Sequence, residues 1–195
     1  MNAADGGNRR YVLVQLDEVV DTAGYESIAD VTLERLRRAG RTVAEDLTLE
    51  SADIDLGFRS YRLAPSNIRP WDGTSEQLNL IEAVDNLVEG RSTEDLLVEM
   101  MLRLGVELTT PVEKREVAGS PLYNLGGTLY AYFGTEITTA RSNEIAKAVV
   151  AWRAEDPVDS DVTVVVRDTG FVDSSAKLNL AAALTQAGFT TLRSI

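Results

Sequence analysis

The period of the apolar positions changes several times along this chain, and each change predicts an element. Residues 11–16 (YVLVQL) are almost continuously apolar and β-branched, the pattern of a strand covered on both faces of a parallel sheet. Asp17 and Glu18 stand at its C-terminal end. Over residues 27–39 the period becomes helical through Val31, Leu33 and Leu36. Ser27 serves as the cap, Asp30 follows three residues on, and Gly40 reads as the stop. Phe58, Tyr61 and Leu63 then alternate with Arg59 and Arg62 before Pro65, Asn67 and Pro70. That predicts a strand running into an ordered connection over 57–72.

Beyond the connection, Leu78, Ile81, Val84 and Val88 predict a helix over 77–89, ended by Gly90. Ser92 with Asp95 opens another through Leu96, Leu97, Met100, Met101 and Leu104, closed by Gly105. The two read as a helical hairpin whose apolar faces need a partner layer, with the methionine pair as core filler. Strands follow over 106–117 and 121–133, the second interrupted at Gly126-Gly127 by a hairpin turn or a bulge. Ser142 opens a helix with Ile145, Val149 and Trp152, and 162–166 is a buried-type strand. Ser174 caps a helix through Leu178, Ala181 and Leu184 that stops at Gly188, before a last strand over 190–195. Strand–helix–strand–helix–strand over 122–195 predicts a small α/β layer with right-handed crossovers.

Composition narrows the chemistry. The 195 residues include no cysteine and no histidine, which removes disulfides, thiol chemistry and the commonest base and metal ligand. No apolar run reaches membrane-spanning length and the first ten residues carry no signal-peptide pattern, so a cytoplasmic location is expected. A net charge of −12 argues against a broad duplex-gripping face. Arg9–Arg10 and Arg35, Arg37, Arg38 and Arg41 form local basic clusters. The plainer reading of the second cluster is a solvated helix face over a buried stripe, with phosphate contact as the alternative.

The stretch GFRSYRLAPSNIRPWD (57–72) closely resembles a segment in the C-terminal half of the Mod subunits of type III restriction–modification systems. These are DNA adenine-N6 methyltransferases of the β class. NAADGGNRRYVLVQLDE, ERLRRAGRTV, NLVEGRSTEDLLVEMMLRLGVELT, VVVRDTGFVDSSAKLNL and LRSI resemble further segments of that family in the same order, with 107–160 the least diagnostic part. The resemblance implies an α/β fold of two parts. Residues 1–56 would be a Rossmann-like strand–helix remnant of the methyltransferase fold, and 57–195 a mixed α/β C-terminal domain. It also implies an excised segment or a truncated reading frame. The family's (D/N/S)PP(Y/F/W) and FxGxG motifs, which hold the flipped adenine and S-adenosylmethionine, do not occur here: no two prolines are adjacent and no FxGxG is present. The implied role is assembly, through Mod homodimerisation and association with the Res subunit. DNA would be met only through full-length Mod, S-adenosylmethionine would belong to the full-length family, and this chain would be inactive alone. A truncated Mod-like chain that regulates full-length Mod by mixed dimerisation is a variant of the same idea.

In doubly wound folds an acid at the end of the second strand holds the nucleotide ribose. The matching residues are Gln15 and Asp17, with Glu18 behind them, although many relatives in the wider class carry an acid where Gln15 stands. The plain alternative is a strand end showing solvated carboxylates. Asp168, after the 162–166 strand and before Thr169-Gly170, offers a different possibility with Asp173, Lys177 and Arg167 nearby. With Asp17 these would make a self-contained nucleotide- or metal-binding α/β protein, against which stands ordinary turn chemistry. There is no GxxxxGK[ST]. Trp71, Leu97 and Met101 are candidate interface residues or, equally, core.

Overall fold

A computed structural model describes residues 2–7, 9–22, 24–46, 55–68, 87–155 and 157–195. The chain is an α/β protein that divides into two compact units, Met1–Leu63 and Ala64–Ile195.

The first unit holds a single helical turn, α1 (Asn2–Asp5), an antiparallel pair β1 (Val19–Thr22) and β2 (Tyr25–Ser27), and α2 (Ile28–Asp46). Ser27 caps α2 as its sequence predicts. Its hydroxyl accepts from Asp30 N at 3.3 Å, and the Asp30 carboxylate accepts from Ser27 N at 3.0 Å, a reciprocal capping box. Gly40 does not stop the helix. It carries no positive φ, and α2 continues six residues beyond it through Asp46. Residues 11–16 form no strand, contrary to their pattern, and their apolar side chains are exposed: Val12 by 85% and Val14 by 92%. A strand apolar on both faces needs a neighbour on each edge and a layer on each side. The only described sheet of this unit is the short β1–β2 pair. Phe58, Tyr61 and Leu63 likewise form no strand. Tyr61 and Leu63 are exposed and Phe58 is half-buried.

The second unit is a three-layer sandwich. Its elements are α3 (Thr93–Leu104), β3 (Val112–Val117), β4 (Ser120–Leu125), β5 (Leu129–Tyr132), α4 (Thr139–Glu155), β6 (Thr163–Val166), α5 (Ser174–Gln186) and β7 (Thr191–Ser194). The sheet order is β3-β4-β5-β6-β7, antiparallel through β5 and parallel from β5 to β7. Period-2 alternation sorts the side chains. Leu122, Tyr130, Tyr132, Val164 and Val166 face α4 and α5, packing with Ile145, Val149, Trp152, Leu180 and Leu184. Tyr123, Leu125, Leu129, Ala131, Phe133 and Val165 face the other way, onto Leu96, Leu97, Met100 and Met101 of α3. Leu97 and Met101 are therefore core residues of this unit, which removes them as interface candidates. Trp71 lies outside the described residues.

Several boundaries differ from their sequence patterns. The first strand starts at Val112, and the 121–133 run divides into β4 and β5. Gly126 (φ +57°) and Gly127 (φ +72°) make the hairpin between them, and Asn124 Oδ1 accepts from Gly127 N at 2.8 Å. Helix α4 starts three residues before Ser142, with Thr138 Oγ1 accepting from Arg141 N at 3.3 Å. Ser142 is instead wholly buried and donates to Ala176 O on α5 at 2.8 Å. Helix α5 is capped by Asp173 rather than Ser174, and Leu180, not the exposed Leu178, joins Leu184 in the core. The predicted 77–89 helix falls largely outside the described residues. Its last part, 87–89, forms a bridge and a turn, with Leu87 paired to Ile68.

Candidate functional site

Four places bear on function, and they separate into those whose polar groups are already engaged and one whose apolar groups are not. The ribose-type position is the first. Asp17 is paired with Arg62 at 3.2 Å, both side chains more than half exposed. Gln15 donates from Nε2 to Leu16 O at 3.3 Å, a contact with its own neighbour. Both residues sit on the open 11–18 segment, so no strand end presents them to a ligand.

The second lies at the C-terminal ends of the parallel strands, where α/β sheets place ligand groups. Lys177 Nζ pairs with the Asp168 carboxylate and reaches Ser194 Oγ at 3.2 Å. Asp173 Oδ1 accepts from Ala176 N at 2.8 Å as the α5 cap, and Arg167 Nε donates to Thr169 Oγ1 at 2.7 Å. Thr169-Gly170 belong to a 3₁₀ turn over Asp168–Gly170. Gly170 is packed so tightly there that an added Cβ would lie 2.3 Å from Gly134 O. The acids singled out by sequence are thus doing capping and pairing. Among the described residues no three acids, cysteines or histidines gather as a metal would require.

The third place was not legible in the pattern. Residues 66–68, the described end of the connection, are clasped to α3 by Glu99. Its carboxylate accepts from Ser66 Oγ at 2.6 Å, Asn67 N at 2.7 Å and Arg103 Nε at 2.9 Å, and its side chain is only 13% exposed. Asn67, itself buried, donates from Nδ2 to Asp95 O at 3.1 Å, and its carbonyl accepts from Val88 N at 2.8 Å. Burial raises the Glu99 pKa, but the hydrogen bonds from Ser66, Asn67 and Arg103 outweigh it and hold the group below its ordinary value. Only the i,i+4 spacing of Glu99 and Arg103 signals this in sequence; the Ser-Asn partners are more than thirty residues away.

The fourth place is the exposed run itself. Tyr11, Val12, Leu13, Val14 and Leu16 are successive large apolar side chains turned to solvent, followed by Val19. Isolated exposed apolar residues are ordinary on a protein surface; a contiguous set marks an interaction surface. By contrast the second unit is closed over its core on both faces of the sheet. The side chains of the 11–16 run are apolar apart from the Tyr11 hydroxyl and the Gln15 amide. Its physical capacity is association.

No known family model matches the chain, and no curated protein does. Among the described residues, no helix is long and apolar enough to cross a membrane.

Proposed function

We propose that this chain is the C-terminal portion of a type III restriction–modification Mod subunit, a DNA adenine-N6 methyltransferase, and that it serves assembly rather than catalysis. The observation that carries the reading is the exposed run at residues 11–16. Its two-sided apolar pattern belongs inside a parallel sheet, and among the described residues no strand pairs with it and its apolar side chains stay exposed. A methyltransferase sheet of the resembling family is the partner that such a strand would complete. The closed second unit would then be the domain through which two Mod subunits and the Res subunit are held together. In that arrangement S-adenosylmethionine and the target adenine are handled by the parent enzyme's catalytic motifs, neither of which occurs in these residues. DNA is met through the assembled enzyme, and the protein works in the cytoplasm.

Light scattering coupled to size exclusion, over a concentration series and with or without a full-length type III Mod subunit, tests the reading. The expected result is self-association or co-elution with Mod, with the part carried by the 11–16 run lost in Val12→Asp/Val14→Asp and the part carried by the second unit kept while that unit melts unchanged. A strict monomer that also fails to co-elute overturns it.

A further inference from the structure

Helix α2 borders a groove of about 510 Å³, lined by Leu36, Arg37, Gly40, Arg41, Ala44, Leu56, Gly57 and Phe58. Three features of that lining set it apart. It contains two arginines and no acid, in a chain whose net charge is −12. The arginines stand one turn apart on one helix face, the spacing at which two side chains reach a common partner. Neighbouring Arg38 is committed to Glu34 at 2.8 Å and Arg37 only grazes the same carboxylate at 4.0 Å, while Arg41 has no ion pair among the described residues.

Gly40 supplies the second, independent point. Glycine in a helix interior is unfavourable relative to alanine and is kept where backbone must come close or space must stay open. Close packing does not require it here. A Cβ at Gly40 would meet Leu56 O at 3.7 Å, an ordinary contact. At Gly40 the lining of the groove therefore carries no side chain.

We propose that this groove binds a phosphate ester carrying a planar ring, about the size of one nucleotide. Arg37 and Arg41 take the phosphate, since paired guanidinium groups match its oxygens in geometry and charge. Phe58, with Leu36, Ala44 and Leu56, gives the ring an apolar seat. The groove is open to solvent over most of its extent, so it seats a small ligand against the helix rather than enclosing it. The inference stands on this groove alone and is independent of the assembly reading.

Isothermal titration of the full chain with adenosine 5′-monophosphate, adenosine, inorganic phosphate and a short oligothymidylate tests it. The monophosphate is expected to bind at least about tenfold tighter than adenosine or phosphate alone. Arg41→Gln should weaken it about tenfold, and Arg37→Gln/Arg41→Gln further. Gly40→Leu should block the groove with both charges kept, whereas Gly40→Ala should keep the fold and bind more weakly. Oligothymidylate binding tighter than the monophosphate assigns the ligand to a single strand, and the reverse assigns it to a free nucleotide. No saturable binding of either, binding unchanged in Arg41→Gln, or equal binding of an acidic phosphate-free peptide overturns the proposal.

Discussion

Arg115 on the outer strand β3 lies over the ring of Trp152 on α4, its guanidinium carbon 4.1 Å from the ring centroid. The same guanidinium donates to both carboxylate oxygens of Glu155, at 2.9 and 2.7 Å. Beneath it Trp152 meets Tyr130 edge-on, with centroids 6.1 Å apart. One flat cation therefore joins the sheet edge to the helix layer through a stack and a fork, two contacts that a lysine cannot make together. Arg115→Lys should lower the melting temperature slightly despite keeping the charge. Trp152→Ala removes a fully buried ring and should cost about 3–5 kcal/mol, read by denaturant titration.

The Glu99 clasp gives stability a pH dependence of known sign. Its folded pKa lies below the ordinary value, so its contribution is fully present above the unfolded glutamate pKa and is lost as pH falls through the folded one. Glu99→Gln should cost about 1–2 kcal/mol at neutral pH, since it weakens three hydrogen bonds to a charged acceptor. The difference from wild type should shrink as the pH drops below the usual carboxylate range. Limited proteolysis should find the 64–68 segment opened in the variant at pH 7 and protected in wild type.

Gly170 is fixed by close approach rather than by backbone angle. Gly170→Ala would push a methyl against Gly134 O, a backbone atom that cannot swing away. The expected loss is about 1–3 kcal/mol, measured by chemical denaturation. A change there that proved neutral would mean the 3₁₀ turn shifts freely.

Ala118 goes in the opposite direction. It sits in the two-residue turn between β3 and β4 at φ +50°, with Gly119 at +85°, where primed hairpin turns favour Asn-Gly or Gly-Gly. Its amide donates to Glu144 Oε1 at 3.1 Å, which helps hold the strained residue. Ala118→Gly or Ala118→Asn should stabilise the second unit by about 0.5–1 kcal/mol, seen as a raised melting temperature.

What the sequence made legible follows from the range of the forces involved. The α3 cap at Ser92–Asp95, the Gly105 stop and the Ser27–Asp30 box are local, each spanning three residues or one, and all were readable. The buried strands β5 and β6 were readable because both faces are covered within the unit. The same pattern at 11–16 led to a strand that is not there. An apolar period reports what a residue can bury, not what covers it. Asp168 and Asp173 looked chemical because sequence does not show that Lys177 and the Ala176 amide take them up. The Glu99 clasp and the Arg115–Trp152 stack were invisible for the converse reason, their partners being more than thirty residues apart. The Arg37–Arg41 groove was half visible, as a basic cluster on a helix. Leu56 and Phe58, which complete its lining, lie more than ten residues further along the chain.

The order of strands in the five-stranded sheet is also their order in the chain. A nascent polypeptide leaving the ribosome therefore presents each strand when its neighbour is already waiting, and no strand must be held open for one made much later. The β3–β4–β5 hairpins close over short turns, whereas the parallel β5–β6 and β6–β7 pairings each wait for a crossover helix. Each new strand covers the edge left by the one before, which narrows the window for edge-to-edge misassembly on a crowded polysome. Shortening the gene from its 3′ end should accordingly peel this sheet one strand at a time, β7 first, leaving the β3–β4–β5 meander as the last piece able to hold its pairing.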